Sequence, residues 1–301
     1  MKRCPIFLAF TLLATPAFAQ VGTMKWHFNS RDDVVPALQK TRGNLRSTYD
    51  VIMCAVRSGY SNSCVGYYEN VVNGHEFNAT AQDSAAYAFA FDVSYGMRPW
   101  GWEKDTDSSM VTRSGRATAL YFRDRAYSAL PNSPEVLIMR SFWASTQERP
   151  LRREGYTLGL KAIKIAPKWA DAYFWLNGSI GSYYNQFRSE MLRPEVTANA
   201  KKMQEDKAII IRLAKFDLRV CDRAEKLDPA IHPWLLLDRA YAYQLIPEKK
   251  SAQMIPILID AHLKAFPEWA VYNQKQWGVS EREYRAGWRT TAARIAKEAN
   301  S

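Results

Sequence analysis

Apolar residues recur every three or four positions along most of the second half of the chain. This spacing places them on one side of a helix, so it predicts amphipathic α-helices rather than strands. Short polar or proline-containing intervals separate the segments, and successive helices are therefore expected to form hairpins. The predicted helices cover residues 116–130, 135–145, 151–166, 170–184, 209–227, 234–245 and 252–266.

The first part of the chain has a less regular pattern. A helix is expected to begin near Ser30, because Ser30 and Asp33 have the spacing of a capping box. The alanine- and aromatic-rich segment 85–93 fits either a helix or a strand, and the helical spacing around it favours a helix. The longest irregular stretch is residues 95–114, which contains glycine, proline and two tryptophans.

An alanine stands five or six residues before a proline at four places. The prolines are 36, 62 and 38 residues apart, and the long interval equals one unit plus an insertion at about residues 185–206, with a break at Pro194. A period of this length is typical of stacked helical hairpins, since one hairpin cannot bury its apolar face alone. The four pairs are Ala126 and Pro131, Ala162 and Pro167, Ala224 and Pro229, and Ala261 and Pro267.

The segment around Pro167 resembles a tetratricopeptide-repeat junction. Ala162 stands where that family has an alanine that lets two helices approach closely, and Pro167 ends the second helix of a unit. Tyr173 and Leu176 match the aromatic residue and the leucine that open the next unit. The resemblance covers residues 115–277 and implies an all-α fold of stacked helical hairpins, a TPR-like α-solenoid whose first helices form a groove for a peptide or protein.

The resemblance is degenerate. Asn177 and Asp238 stand where the family usually has glycine, and Gly159 and Cys221 replace a large aromatic residue. A final helix is expected to start at Ser280, which forms a capping-box pattern with the glutamate three residues later, and this helix suits the end of an array.

The N-terminus has the three parts of a secretory signal peptide. Lys2 and Arg3 precede a short apolar run at residues 6–13, and an Ala-x-Ala sequence ends at Ala19. Cleavage is expected after Ala19, which predicts a periplasmic or secreted protein. No later segment reaches the roughly 18 apolar residues of a transmembrane helix, so no membrane span is expected.

These patterns divide the chain into three predicted parts. Residues 1–19 are the signal peptide, residues 20–114 form an N-terminal helical region with an irregular loop, and residues 115–301 form the helical-repeat domain with its C-terminal capping helix. Removal of the signal peptide leaves 39 basic and 30 acidic residues, a formal net charge of +9. Export argues against nucleic acid as a partner, whereas an acidic protein or an anionic cell-wall polymer suits this charge.

Three cysteines remain after cleavage. In an oxidising compartment Cys54 and Cys64 are expected to form a disulfide across what the sequence presents as a short loop. Cys221 is then left over, and its place in a repeat predicts a buried, unreactive thiol.

Few residue patterns indicate catalysis. The four histidines have no second ligand at metal-binding spacing, and no nucleophile-elbow or nucleotide-binding motif occurs. No cofactor or metal is therefore expected. One alternative site lies in the irregular loop, where Trp100 and Trp102 precede Glu103, because tryptophans stack on sugars and an acid beside them could hydrolyse a glycan.

The leading functional hypothesis is an exported protein-binding adaptor or scaffold, in the form of an envelope immunity or assembly factor. Its partner would be another envelope protein or a peptide. The alternative is a cell-envelope glycan-acting hydrolase that uses the loop at residues 95–114. The candidate groove residues, taken from first helices of the repeat, are Arg140, Trp143, Asn177, Tyr184 and Arg239.

Overall fold

The computed structural model describes residues 28–74, 79–97, 113–147, 149–265 and 280–298, and that part of the chain contains helices and turns but no strand. Two short 3₁₀ helices, Arg31–Asp33 and Pro229–Ile231, accompany the α-helices. The α-helices are α1 (Val34–Thr41), α2 (Leu45–Ser58), α3 (Ser61–Gly74), α4 (Ala81–Met97), α5 (Arg113–Ala129), α6 (Pro134–Thr146), α7 (Arg149–Ile165), α8 (Ala170–Met191), α9 (Pro194–Thr197), α10 (Ala200–Leu227), α11 (His232–Gln244), α12 (Lys249–Ala265) and α13 (Glu281–Glu298).

The helices predicted between residues 116 and 266 are all present. Both capping boxes are confirmed as well: the Ser30 backbone NH donates to Asp33 Oδ2 at 3.1 Å, and the Ser280 backbone NH donates to Glu283 Oε2 at 2.8 Å. The ambiguous segment 85–93 lies inside α4 and is buried on every side. A helix with no solvent-facing side has no polar stripe, which is why the sequence pattern there does not distinguish helix from strand.

The predicted insertion is mostly helical. Residues 185–206 lengthen a hairpin, because α8 continues to Met191 and α10 begins at Ala200. The added turns carry apolar side chains, such as Phe187 and Met191, that pack against the hairpin core. The break at Pro194 is real, since this proline begins the one-turn helix α9 at the tip.

The helices stack in chain order, each mainly against its neighbours. One apolar core extends from Phe28 to Trp175, a second lies among α8, α10 and α11, and a third lies among α11, α12 and α13. The packing of α4 against α5 and α6 joins the N-terminal helices to the first hairpin. Stacked neighbouring helices of this kind are compatible with a helical-repeat fold, and the domain boundaries stay a prediction.

A buried ion pair lies in the first core. Arg123 on α5 is 1% exposed, and its Nε donates to Asp92 Oδ2 on α4 at 3.0 Å, while its Nη2 contacts Asp92 Oδ1. The Arg123 guanidinium also lies 4.7 Å from the ring centroid of Trp143 on α6. This one side chain therefore links three successive helices.

Small residues let α6, α7 and α8 approach closely. Ser141 Oγ on α6 donates to the Gly155 carbonyl oxygen on α7 at 2.7 Å, and it lies 2.8 Å from Ser179 Oγ on α8. A Cβ atom added at Gly155 would lie 2.5 Å from Ser145 Oγ. Glycine is thus required here by the contact between two helices rather than by its backbone conformation.

The predicted Cys54–Cys64 disulfide is wrong, because the structure contains both residues as buried thiols. Cys54 lies within α2 and Cys64 within α3, and only a tight turn at Gly59 (φ 82°) separates the two helices. The intervening residues, which look like a loop in the sequence, are mostly helical. Helix packing, not the closure of a flexible loop, therefore sets the positions of the two sulfur atoms.

Candidate binding face

Helices α7 and α10 lie side by side on α8. Both pack on α8 without packing extensively against each other. Two observations indicate their register: Arg212 lies near enough to Tyr156 for its charge to act on the hydroxyl, and Arg223 Nη2 donates to the carbonyl oxygen of Pro167, two residues after the end of α7, at 3.3 Å. Each pair is 56 residues apart in the chain, so α7 and α10 run parallel.

We call the surface between these helices the α7–α10 face. It consists of Arg153, Tyr156, Leu160 and Ile163 on α7, Tyr183 and Phe187 on α8, and Arg212, Phe216 and Arg219 on α10.

A row of half-buried aromatic rings crosses the α7–α10 face. The rings of Tyr156 and Tyr183 stack with their centroids 5.2 Å apart and their planes 20° apart. The ring of Phe187 meets Tyr183 edge-on, also at 5.2 Å. Burial raises the pKa of the Tyr156 hydroxyl, although the nearby Arg212 charge opposes this. The rings pack against the apolar core on one side and are partly exposed to solvent on the other.

Basic side chains lie beside these rings. Arg212, Phe216 and Arg219 follow one another at intervals of four and three residues, so they share one side of α10. The Arg219 guanidinium lies 5.5 Å from the centroid of the Phe216 ring. Within the described ranges, neither Arg212 nor Arg219 forms an ion pair with a carboxylate, and the same holds for Arg153 on α7. The face therefore carries three positive charges without internal neutralisation.

A buried acidic centre occupies the opposite side of α10. Asn177 Nδ2 on α8 donates to Asp217 Oδ1 at 2.9 Å and to Cys221 Sγ at 3.2 Å. All three side chains are at most 3% exposed. Asn177 stands where the resembled family usually has glycine, and the larger side chain is accommodated because it hydrogen-bonds to its neighbours on α10.

The carboxyl groups of the acidic centre have raised pKa values. Burial raises the pKa of Asp238 on α11 to about 7. Burial and the charge of Asp238 raise the pKa of Asp217 well above its usual range, and the hydrogen bond from Asn177 only partly opposes this. Burial also raises the pKa of the Cys221 thiol, so it is not a thiolate nucleophile at neutral pH. The stability of the contacts among α8, α10 and α11 is therefore expected to depend on pH.

The substitution Asp238→Asn tests this coupling. The carboxyl titrates near pH 4 when unfolded and near pH 7 when folded, so the parent protein loses stability as the pH rises through this window. The variant lacks the Asp238 contribution to this loss, and the contribution of Asp217 remains in both proteins. We expect the variant to be about 2 kcal/mol more stable at pH 8 and equally stable near pH 4, after part of the shift is discounted because Asp238 is only half-buried.

Urea unfolding from pH 4 to pH 8 measures this difference. Asp222→Asn is the matched control, since the Asp222 carboxylate is 72% exposed and its ion pair with Arg239 contributes at most about 1 kcal/mol. A stability difference between Asp238→Asn and the parent that does not change with pH would contradict the raised pKa of Asp238.

Two of the sequence-predicted groove residues lie together on another surface. Arg140 and Trp143 share one side of α6, and the Arg140 guanidinium lies 5.7 Å from the Trp143 ring centroid and 4.4 Å from that of Tyr127. Arg140 also forms ion pairs with Asp124 at 3.0 Å and Glu154 at 3.1 Å. Its charge is thus already neutralised by two carboxylates.

The other three predicted groove residues do not lie on the surface formed by Arg140 and Trp143. Asn177 and Tyr184 are buried between α8 and its neighbours, so neither faces an open groove. Arg239 is occupied by ion pairs with Asp222 at 2.9 Å and Glu225 at 2.5 Å. Helical spacing shows which residues share one side of a helix, but it does not show which neighbouring helix covers that side.

The residues of the α7–α10 face were not singled out by the sequence analysis. One signal for them existed, namely the spacing of Arg212, Phe216 and Arg219 on a predicted second helix. The contact of Tyr156 with Tyr183 had no such signal, because it joins side chains from two helices.

Other sequence-based expectations fall on residues outside the described ranges. These are the signal peptide at residues 1–19 and the alternative loop site at Trp100, Trp102 and Glu103. Within the ranges that the structure covers, no three His, Cys, Asp or Glu residues form a group able to hold a metal ion, and no helix has the length and apolar character to cross a bilayer.

Comparison with known proteins adds no identification: no protein-family model matches the chain, and no curated protein matches it either.

Proposed function

We propose that this chain is an exported, TPR-like scaffold that binds another envelope protein or peptide through the α7–α10 face. One observation carries the proposal: a half-buried aromatic row on regular helices lies directly beside arginines that form no ion pair with any carboxylate of the described residues. Aromatic and arginine side chains dominate the energetics of protein interfaces, because they combine apolar contact area with hydrogen-bonding groups.

The chemistry of this face favours binding over catalysis. Its side chains are phenol and benzene rings, aliphatic groups and guanidinium groups, which provide contact area and charge but no general base near neutral pH. The acidic centre lies on the side of α10 that faces away from this surface, and burial raises the pKa of both of its carboxyl groups. Among the described residues, the arrangement thus suits recognition of a partner surface.

The proposed compartment and repeat type rest on sequence features. Lys2, Arg3 and the Ala-x-Ala ending at Ala19 support export to the periplasm or to the exterior. The recurring Ala–Pro pairs, together with the stacked hairpins, support the TPR-like assignment. An envelope immunity factor or an assembly factor is a function that such an exported scaffold would perform.

The substitution Tyr156→Ala tests the proposal. Residues 20–301 are immobilised and exposed to envelope extract at low and high salt, and the retained proteins are identified by mass spectrometry. We expect the parent to retain one dominant protein at high salt and Tyr156→Ala to retain about tenfold less, as is typical for loss of an aromatic interface anchor.

Tyr127→Ala is the matched control, because Tyr127 is a half-buried tyrosine that lies under Arg140 on the other surface. It should retain the partner as the parent does. Recovery of nothing, or of glycan alone, would overturn the scaffold function. Loss of the partner in Tyr127→Ala but not in Tyr156→Ala would move the binding surface to Arg140 and Trp143. Thermal melts establish that both variants are folded.

A further inference from the structure

We infer that the α7–α10 face recognises an acidic peptide segment in which carboxylates flank a bulky apolar side chain. The inference rests on the proposed scaffold function and specifies the chemistry of the partner. It combines three features of the face: its uncompensated charge, the spacing of its arginines, and the apolar side chains between them.

The charge argument starts from the acids near the face, which are already in use. Asp222, one turn after Arg219, forms an ion pair with Arg239, and Glu248 forms one with Lys215 of α10 at 2.7 Å. Arg153, Arg212 and Arg219 have no such partner within the described part of the chain. All three arginines are exposed, so a partner can reach them, and the planar guanidinium group binds a carboxylate through two parallel hydrogen bonds.

The spacing of the arginines limits the length of the segment. Arg212 and Arg219 are seven residues apart on one side of α10, which corresponds to about 10 Å along the helix axis. In an extended peptide alternate side chains share one side, so residues i and i+4 lie on the same side about 13 Å apart, with residue i+2 between them. Acidic residues at i and i+4 would therefore each come within reach of one arginine, and an apolar residue at i+2 would face the space between the two arginines.

The middle of the face is apolar. Phe216 lies between the two arginines, and the register of 56 residues places Leu160 of α7 opposite it. Both side chains are half-buried, so an apolar side chain of the partner would cover surface that is now in contact with water. A polyanion without apolar groups would leave this surface wet, which favours a peptide over a cell-wall polymer.

Three fluorescein-labelled 12-residue peptides test the inference. They have leucine at the same positions and glutamate, glutamine or lysine at all others, and binding to residues 20–301 is measured by fluorescence anisotropy. We expect the glutamate peptide to bind about tenfold more tightly than the glutamine peptide, and the lysine peptide not to bind. The double variant R212A/R219A should lose about tenfold in affinity for the glutamate peptide.

The double variant R282A/R289A is the matched control. It removes the same charge from two exposed arginines of α13, and it should bind the glutamate peptide as the parent does. Equal binding of the glutamate and glutamine peptides, equal damage by the two double variants, or no binding of any peptide would overturn the inference. Poly-glutamate that binds as tightly as the glutamate–leucine peptide would also overturn it, by indicating a plain polyanion surface.

The pull-down separates this inference from the scaffold function. If envelope extract yields a partner that R212A/R219A still captures, the acidic-segment inference fails while the scaffold function stands. If the extract yields no partner, the scaffold function fails first.

Discussion

Replacement of Arg123 by methionine is expected to lower the free energy of unfolding by about 3–5 kcal/mol, because it leaves the buried Asp92 carboxylate without its guanidinium partner. The substitution also removes the contact of the guanidinium with the Trp143 ring, and with it the link between α4, α5 and α6. Urea unfolding at pH 7 followed by circular dichroism measures the change, and the melting temperature should fall by about 10 °C.

The double variant D92N/R123M is the control for this prediction. It removes the buried charge together with its partner, so its destabilisation should be clearly smaller than that of Arg123→Met alone. Equal destabilisation by the two variants would show that Arg123 acts through its packing rather than through neutralisation of Asp92.

The substitution Gly155→Ala is expected to destabilise the protein by about 1–3 kcal/mol, the usual cost of overpacking. The added Cβ atom would lie 2.5 Å from Ser145 Oγ and 2.8 Å from the Ser141 carbonyl oxygen, so α6 and α7 must move apart. This cost opposes the gain of up to about 1 kcal/mol that alanine normally brings to a helix interior. Thermal and urea unfolding give the net effect.

Gly178→Ala is the matched control for the steric argument. Gly178 lies inside α8, is exposed, and has no heavy atom within 4 Å of an added Cβ. Alanine there should stabilise the protein by about 0.5–1 kcal/mol. Were Gly155→Ala also stabilising, α6 and α7 could not be as close as the structure places them.

Much of the candidate site was beyond prediction from the sequence. The positive charge was visible, and so was the position of Arg212, Phe216 and Arg219 on a predicted helix. The aromatic row was not visible, because Tyr156 and Tyr183 come from different helices. Asn177 and Tyr184 were assigned to a groove, and they are buried because α10 and α11 cover that side of α8.

The sequence by itself determined the helices, their approximate ends and their pairing into hairpins. Helical periodicity, capping boxes at Ser30 and Ser280, and prolines act over a few residues, so they are readable without the fold. The tertiary structure alone decided which sides of the helices are covered, and hence that residues 185–206 lengthen a hairpin and that Cys54 and Cys64 remain thiols. Burial, neutralisation of charge and pKa shifts depend on contacts between residues far apart in the chain, and local patterns do not encode those contacts.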